Sequence, residues 1–327
     1  MELSVRIERW PLAAAFTISR GSKTEATVVV AELTDAGLRG RGECAPYARY
    51  GETAEGVGAA IKKLRPVLRR GLQHEDLPTL LPAGAARNAL DCAFWDLRAK
   101  QAGRRVYDLI GLAAPEPRIT AYTISLASPA VMAEAAARAA ARPLLKIKLG
   151  AADNDDPARL AAVRRAAPAA ELIVDANEGW TPHNLRQNLA ACADAGVTLV
   201  EQPLPQGGDA ALAVIKRPIA VCADESVYER VSLEALGGKY DAVNIKLDKA
   251  GGLSEALALA AAAEQRGFVV MAGSMVGTSL AAAPAMLAAQ RARFVDLDGP
   301  LLLAKDRTPS LRYDGSLAYP PDADLWG

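Results

Sequence analysis

From about residue 118 onward, short runs typical of β-strands alternate with alanine-rich stretches that have helical spacing. Each run ends in polar residues, and successive runs begin roughly 22–30 residues apart. The eight runs span 118–125, 144–149, 171–177, 198–201, 219–225, 242–247, 268–274 and 294–298. Eight strand–helix units in succession are typical of a closed (β/α) barrel of the TIM type. The sequence therefore predicts an α/β fold built on such a barrel.

The first hundred residues follow a different pattern. Residues 5–10, 27–34 and 38–43 have the composition of an antiparallel meander, and two helical stretches follow at 53–70 and 84–100. We interpret this part as an α+β capping domain. The predicted division is a capping domain at 1–116, the barrel at 117–300 and a C-terminal segment at 301–327 that returns to the capping domain.

Composition excludes several classes of partner. Lys plus Arg and Asp plus Glu number 38 each, so no overall field favours nucleic acid or a membrane surface. No apolar run approaches the roughly 18 residues that span a bilayer, and the charged N-terminus is not a signal peptide. The scattered cysteines argue against structural zinc and predict reduced thiols in the cytoplasm: Cys44, Cys92, Cys192 and Cys222. Association into a homo-oligomer stays open.

Three consecutive strand runs end in carboxylates, namely Asp175, Glu201 and Asp224. Because a barrel presents its reactive groups at the carboxyl ends of its strands, these side chains are expected to converge on one point. Three converging carboxylates would repel one another unless they bind a cation, and oxygen ligands suit Mg²⁺. Asn177 follows the first of them as a supporting polar group. Taken singly, each carboxylate is as consistent with a helix cap or a salt bridge.

Lysines end the second and sixth strand runs. Lys146 and Lys148 are two apart and share the inward face, and Asn244 and Lys246 form a similar pair on the opposite side of the barrel. Neighbouring ammonium groups are expected to lower each other's pKa, and a neutral lysine can act as a general base. The alternative is a strand end with solvated lysines. Facing lysines predict removal of a proton from one face of a carbon and its return to the other.

The eighth strand run adds two inward carboxylates, Asp296 and Asp298. They lie too far around the barrel to join the metal easily, so a cationic group on the substrate is a better partner. A salt bridge to a neighbouring basic side chain is the alternative.

Two capping-domain loops, 18–23 and 44–52, are expected to close over the strand ends, with Arg20 and Tyr47 as candidate substrate ligands. Ser274 ends the seventh strand run and Met275 follows it, where the neighbouring glycines permit close approach of a substrate.

These residues together resemble the muconate-lactonising-enzyme subgroup of the enolase superfamily, in which lysine bases act with Mg²⁺. The resemblance covers nearly the whole chain, including the stretches 89–97 and 243–252. Within the subgroup the chain resembles the dipeptide epimerases most, through its Asp296-x-Asp298-Gly299-Pro300 element and its Ser19-Arg20-Gly21 segment.

The resemblance implies a Mg²⁺-dependent isomerase that inverts the α-carbon of a dipeptide's C-terminal residue. Proton transfer by Lys148 and Lys246 would pass through an enolate, most simply between L-Ala-L-Glu and L-Ala-D-Glu, in cell-wall peptide recycling. It also implies that Asp296 and Asp298 bind the dipeptide's ammonium and that Arg20 goes with an acidic second residue.

Two other readings stay open at this point. On the same scaffold, an o-succinylbenzoate synthase or N-acylamino-acid racemase would share the lysines and the metal ligands but bind a substrate without a free ammonium. A non-catalytic metal-binding barrel would have no use for opposed lysines.

Overall fold

The computed structural model describes all residues from 1 to 327. The chain opens with an antiparallel sheet of β1 (Glu2–Ile18), β2 (Gly21–Asp35) and β3 (Leu38–Cys44). The strands extend well beyond the predicted runs, and β1 and β2 form one long hairpin. The predicted loop at 18–23 is therefore the tip of this hairpin rather than a separate lid.

Helices cover the sheet on one side. They are α1 (Ala54–Lys62), α2 (Arg65–Arg69), α3 (Leu77–Leu80), α4 (Ala85–Ala102) and α5 (Val106–Leu109). The predicted helix at 53–70 is broken into α1 and α2, because Pro66 lacks the amide hydrogen that would continue the hydrogen-bond ladder. The backbone of β3 lies against α4 so closely that a Cβ on Gly42 would be 2.1 Å from the carbonyl oxygen of Ala89. Glycine is required at that position.

Eight parallel strands form the barrel, which confirms the predicted fold class. They are β5 (Tyr122–Ile124), β6 (Leu144–Lys148), β7 (Glu171–Asp175), β8 (Val197–Glu201), β9 (Ala220–Ala223), β10 (Ala242–Lys246), β11 (Val269–Gly273) and β12 (Phe294–Asp296), hydrogen-bonded in this order. A two-stranded hairpin of β13 (Tyr313–Asp314) and β14 (Leu317–Ala318) adds β4 (Arg118–Ile119) to a separate small sheet. The single run predicted at 118–125 is thus two strands in two sheets.

The seam between β5 and β12 is closed by individual hydrogen bonds. The backbone amide of Ala121 donates to the carbonyl of Val295 at 2.8 Å. The amide of Thr123 donates to Oδ2 of Asp298 at 2.7 Å. Asp298 therefore has a structural partner at the seam.

Helices surround most of the barrel: α6 (Pro129–Arg138), α7 (Asp156–Ala166), α8 (Leu185–Asp194), α9 (Leu247–Ala250), α10 (Leu253–Gln265) and α11 (Ser279–Ala289). After β8 and β9 the expected helices are replaced by short 3-10 helices at Ala210–Ala213 and Arg230–Leu236. After β12 a full helix is not expected, because Pro300 soon follows, and a 3-10 helix lies at Gly299–Leu302. None of the helices combines the length and apolar composition that crossing a membrane requires.

Each barrel strand, or the residue just before it, contributes one apolar side chain to a buried layer inside the barrel. The layer consists of Ala121, Leu144, Ile173, Leu199, Cys222, Ala242, Met271 and Phe294. Side chains two residues further along a strand face the same way, one layer higher. For most strands the side chain in that next layer is polar or charged. The apolar interior of the barrel therefore gives way to chemically reactive side chains within two residues along each of these strands.

The C-terminal segment contacts the N-terminal sheet and helices. The amide of Ala304 donates to the carbonyl of Pro11 at 2.8 Å, and Arg307 forms ion pairs of 2.6 Å with both Glu8 and Glu43. The indole of Trp326 is buried and donates to the carbonyl of Cys92 at 3.0 Å. The division of the chain at 116 and 300 stays a prediction.

Trp326→Phe is expected to lower the free energy of unfolding by about 1–3 kcal/mol, because it removes the buried indole hydrogen bond and leaves a small void. Urea titration followed by circular dichroism measures the change. An unchanged unfolding midpoint would show that the C-terminal segment contributes little to stability.

Candidate active site

Three buried carboxylates meet at the carboxyl end of the barrel. Asp175 ends β7, Glu201 ends β8 and Asp224 directly follows β9, and each is at most 2% exposed. The strand register pairs Lys148 with Asp175 and Asp175 with Glu201, which places these three residues at one depth. One oxygen from each carboxylate lies within 4.8 Å of the others. This spacing suits a single cation bound between them.

The donor set fits a hard divalent cation such as Mg²⁺. All three groups are carboxylates, and further buried oxygens lie close by: Oδ1 of Asn177 and Oδ1 of Asn244 have no hydrogen-bond partner. The amide nitrogen of Asn244 donates to Oε1 of Glu201 at 2.7 Å, which orients that carboxylate. Burial and the charge of Asp175 raise the pKa of Glu201 to about 7. A bound cation would offset this cost, because it favours the ionised form.

Lysines surround the three carboxylates on opposite sides. The Nζ of Lys148 on β6 lies 2.6 Å from Oδ2 of Asp175, and the Nζ of Lys246 on β10 lies 2.7 Å from Oδ2 of Asp224. Four positions separate β6 from β10 in the order of eight strands, so the two lysines face each other across the barrel.

The expectation that the paired lysines lower each other's pKa is wrong for Lys146. Burial lowers its pKa, but the carboxylates of Asp296, Glu201 and Asp175 outweigh burial and raise it well above the usual value. The Nζ of Lys146 lies 2.6 Å from both Glu201 and Asp296. Burial also opposes the charged form of Lys246, yet Asp224 and Glu201 raise its pKa. The sequence argument counted neighbouring lysines and omitted the carboxylates between them.

The two aspartates of the eighth strand run have protein partners. Asp296 forms the ion pair with Lys146, which was the alternative considered from the sequence, and Asp298 accepts the Thr123 amide. Burial and the charge of Asp296 raise the pKa of Asp298 to about 7. These hydrogen bonds use Oδ2 of each carboxylate.

A cavity of about 550 Å³ lies between the hairpin tip and the strand ends. It brings together most of the predicted substrate ligands and bases, namely Arg20, Tyr47, Lys148, Asn177, Lys246, Ser274 and Met275, whereas Asp296 and Asp298 do not line it. A larger cavity of about 720 Å³ lies between α4 and α10, away from the strand ends. Its arginines pair with Glu75, Glu229 and Glu255, so none of them is free to bind an anion.

Arg20 lies at the hairpin tip and contacts the barrel. Its guanidinium is 2.6 Å from Glu225, 3.2 Å from Glu178 and 2.8 Å from the hydroxyl of Tyr47. It also donates to the carbonyl of Asn177, as does the neighbouring Ser19 hydroxyl at 2.8 Å. Arg20 therefore fastens the hairpin to the barrel in addition to lining the cavity.

Lys249 is a buried residue that the sequence argument did not single out. Its Nζ donates to Oδ1 of Asp224 at 2.5 Å and to the carbonyl of Asn244 at 2.9 Å. It follows Lys246 by three residues and lies on α9. The sequence did contain a signal for Lys249, because it comes soon after a strand run that already carries Lys246 near its end.

Lys249→Met is expected to lower the metal-free unfolding free energy by at least about 2 kcal/mol, because Asp224 loses a buried counter-charge. Added Mg²⁺ should restore more stability to this variant than to the parent. Thermal unfolding with and without Mg²⁺ measures both effects, with the exposed Lys216→Met as control. Equal melting temperatures for both variants would contradict a role for Lys249 in holding Asp224.

Two family models match the chain. Residues 130–322 match the enolase C-terminal domain-like family, and residues 1–111 match the N-terminal domain of the mandelate racemase / muconate lactonizing enzyme family. The chain belongs to the enolase superfamily. The predicted resemblance is thereby confirmed, and the carboxylate cluster lies within the segment that matches the C-terminal domain.

Two relatives, one named as an epimerase and one as a racemase, align with nearly the whole chain. It is 49% identical to an L-Ala-D/L-Glu epimerase of Escherichia coli K12, over 94% of this chain and 95% of that protein. It is 45% identical to an N-acetyl-D-glutamate racemase of a Pseudoalteromonas species, over 92% and 95%.

Among solved structures, an enolase family member from Agrobacterium tumefaciens, described as having homology to dipeptide epimerases, matches with a TM-score of 0.97. It is 53% identical, with 99% of each chain covered, and its crystal structure contains sodium and L-Ala-L-Glu.

Proposed function

We propose that this enolase-superfamily chain is a Mg²⁺-dependent isomerase that epimerises a dipeptide at the α-carbon of its C-terminal residue, between L-Ala-L-Glu and L-Ala-D-Glu. The observation that carries the proposal is the pair of opposed lysines, Lys148 and Lys246, on either side of three buried carboxylates. The 49% identity to the E. coli epimerase supports this substrate class.

In this mechanism the two lysines act on opposite faces of the substrate. One lysine in its neutral form removes the α-proton and leaves an enolate, and the other lysine in its charged form donates a proton to the opposite face. Asp175, Glu201 and Asp224 would hold Mg²⁺, which supplies positive charge to the substrate carboxylate and makes the α-proton more acidic. Lys146 stays charged between Glu201 and Asp296 and provides a fixed positive charge beside the site.

The remaining predicted residues have supporting roles in the proposal. Asn244 orients Glu201, and Asn177 donates to Oδ2 of Asp175 at 3.1 Å. Asp296 and Asp298 receive the dipeptide's ammonium through their Oδ1 atoms, since their hydrogen bonds to the protein use Oδ2. Arg20, Tyr47, Ser274 and Met275 line the cavity that receives the rest of the substrate.

Racemisation of N-acetylglutamate is a second candidate. Both aspartates of the eighth strand run have protein partners, and a substrate without an ammonium would leave those contacts in place. The 45% identity to the N-acetyl-D-glutamate racemase favours the same alternative.

Incubation of L-Ala-L-Glu, L-Ala-D-Glu and N-acetyl-D-glutamate in separate reactions tests both candidates. We expect the two dipeptides to reach one common epimer ratio from either side with Mg²⁺, and no conversion when EDTA replaces it, as followed by chiral chromatography. Conversion of N-acetyl-D-glutamate alone would replace the first candidate with the second. No conversion of any of the three would contradict both.

For the cellular role we propose recycling of cell-wall peptides in the cytoplasm, where dipeptides released from murein would be substrates. The four cysteines are buried and unpaired, which suits a reducing compartment. Association into a homo-oligomer and the absence of nucleic-acid or membrane partners stay predictions.

A further inference from the structure

The loop that follows Lys148 is held by a buried carboxylate that lies outside the metal cluster. Asp156 is the first residue of α7 and is 1% exposed. Its Oδ2 accepts the backbone amide of Gly150 at 2.8 Å and the indole N–H of Trp180 at 2.7 Å. Gly150 lies two residues beyond Lys148, and Trp180 lies in the loop after β7. Asp156 therefore joins the loops of two neighbouring barrel strands.

The same two loops touch through glycines. A Cβ on Gly150 would be 2.2 Å from the carbonyl oxygen of Ala176, and a Cβ on Gly179 would be 2.3 Å from the carbonyl oxygen of Gly150. Gly150 also has a φ of +90°, which side chains disfavour. The amide of Leu149 donates to the carbonyl of Asp175 at 2.9 Å. The backbone just beyond Lys148 is therefore confined on the side of β7, and Asp156 fixes its next free amide.

Arg159 holds the other oxygen of the Asp156 carboxylate. Its Nη1 donates to Oδ1 of Asp156 at 3.2 Å, and its Nε donates to the carbonyl of Ala127 in the loop after β5 at 2.7 Å. Arg159 also pairs at 2.6 Å with Asp153, whose side chain is 52% exposed. Three donors from three segments thus fix the position of the Asp156 carboxylate, and the loop after β6 is attached to that fixed point.

The backbone beside Lys246 is held by a different part of the molecule. Asp248 lies two residues beyond Lys246 and is buried. Its Oδ1 accepts the backbone amide of Ala45 at 3.1 Å and the side-chain amide of Asn88 at 2.8 Å. Ala45 directly follows β3 and Asn88 lies on α4, so both partners belong to the N-terminal part of the chain. A change at Asp156 is therefore expected to reach one of the two lysines only.

We propose that Asp156 is a positioning residue for Lys148, and that it controls proton transfer at one face of the substrate α-carbon. This inference rests on the proposed function, in which each lysine addresses one face. Asp156 acts through the Gly150 amide, which sets where β6 ends and where the Lys148 side chain starts. A displacement of about 1 Å in a reacting group costs about 100-fold in rate, so a small shift of this strand end is sufficient.

The test measures exchange of the glutamyl α-proton with D₂O for L-Ala-L-Glu and L-Ala-D-Glu separately, by proton NMR with Mg²⁺. Asp156→Ala is expected to slow exchange of one epimer by about 10–100-fold and to leave the other within about twofold. The epimer affected should be the one that Lys148→Ala no longer exchanges. Inversion should slow in both directions, because it requires both lysines.

Three further variants separate positioning from a general loss of structure. Asp153→Ala removes the exposed partner of Arg159 and should leave both exchange rates unchanged. Asp248→Ala removes a buried carboxylate beside Lys246 and should not select the same epimer as Asp156→Ala. Asp156→Asn keeps the side-chain volume without the charge, and it should show the same selectivity at about threefold even if Asp156→Ala does not fold. Equal losses for both epimers in the Asp156 variants would overturn the positioning role.

Hydrogen exchange of the Gly150 amide tests the contact without any substrate. In substrate-free Asp156→Ala, NMR should show this amide exchanging at least about 10-fold faster than in the parent, and unchanged exchange would overturn the role of Asp156. If the parent acts on N-acetylglutamate instead of the dipeptides, the α-proton comparison is made between the two enantiomers of that compound. Inactivity of the parent on all of these compounds would contradict the proposed function, whereas the amide measurement still decides whether Asp156 holds the loop.

Discussion

Lys148→Ala and Lys246→Ala are each expected to lower the rate of epimerisation by at least about 10³-fold, because each removes one of the two groups that exchange a proton with the α-carbon. Each variant should still exchange the α-proton of one epimer with solvent, since the remaining lysine addresses one face. The two variants should therefore select opposite epimers. Proton NMR of each epimer in D₂O measures exchange and inversion separately.

Lys63→Ala is the control for loss of a lysine outside the cavity. Circular dichroism of each variant establishes that the barrel is folded, since Asp175 and Asp224 lose a counter-charge when Lys148 or Lys246 is removed. Epimerisation at the parent rate by either variant would exclude that lysine as a base. Exchange of the same epimer by both variants would contradict their placement on opposite faces.

Asp224→Asn is expected to weaken Mg²⁺ binding by at least about 100-fold and to lower activity in parallel. Asp224 is one of three carboxylates whose oxygens lie within 4.8 Å of one another, and it also pairs with Lys246 and Lys249. Removal of its charge therefore weakens the cation site and leaves two buried lysines less compensated.

Calorimetric titration with Mg²⁺ measures the affinity of Asp224→Asn directly, without reference to turnover. Asp194→Asn removes an exposed carboxylate from the end of α8 and serves as the matched control. The same Mg²⁺ affinity in Asp224→Asn as in the parent would exclude Asp224 as a ligand. Reduced activity with unchanged affinity would assign it to the positioning of Lys246 instead.

The barrel could be predicted because strand runs and helical stretches alternate at a regular spacing along the sequence. The strands are short, and most have polar residues at or just after their carboxyl ends. Residues two apart share a face, so Leu144, Lys146 and Lys148 lie one above the other. Strand order alone then places Lys148 opposite Lys246 and brings Asp175, Glu201 and Asp224 together. These relationships depend on local pattern and on the symmetry of a closed barrel.

Other features depend on contacts between segments that are distant in the sequence. The register of the β1–β2 hairpin brings Lys23 over the cavity, and no local pattern indicates which face of the barrel it reaches. The seam contact between Thr123 and Asp298 joins residues 175 positions apart. The pKa of Lys146 depends on carboxylates from three other strands, so the neighbouring lysine alone gave the wrong direction.

The most direct test of the central claim is the early-time isotope content of both epimers when L-Ala-L-Glu is converted by the parent enzyme with Mg²⁺ in D₂O. If Lys148 and Lys246 act from opposite faces, the L-Ala-D-Glu formed first should carry solvent deuterium at the glutamyl α-carbon. The remaining L-Ala-L-Glu should still be largely protiated at that stage. Mass spectrometry after chiral separation measures both. First-formed L-Ala-D-Glu that retains the original α-proton would contradict transfer by two lysines.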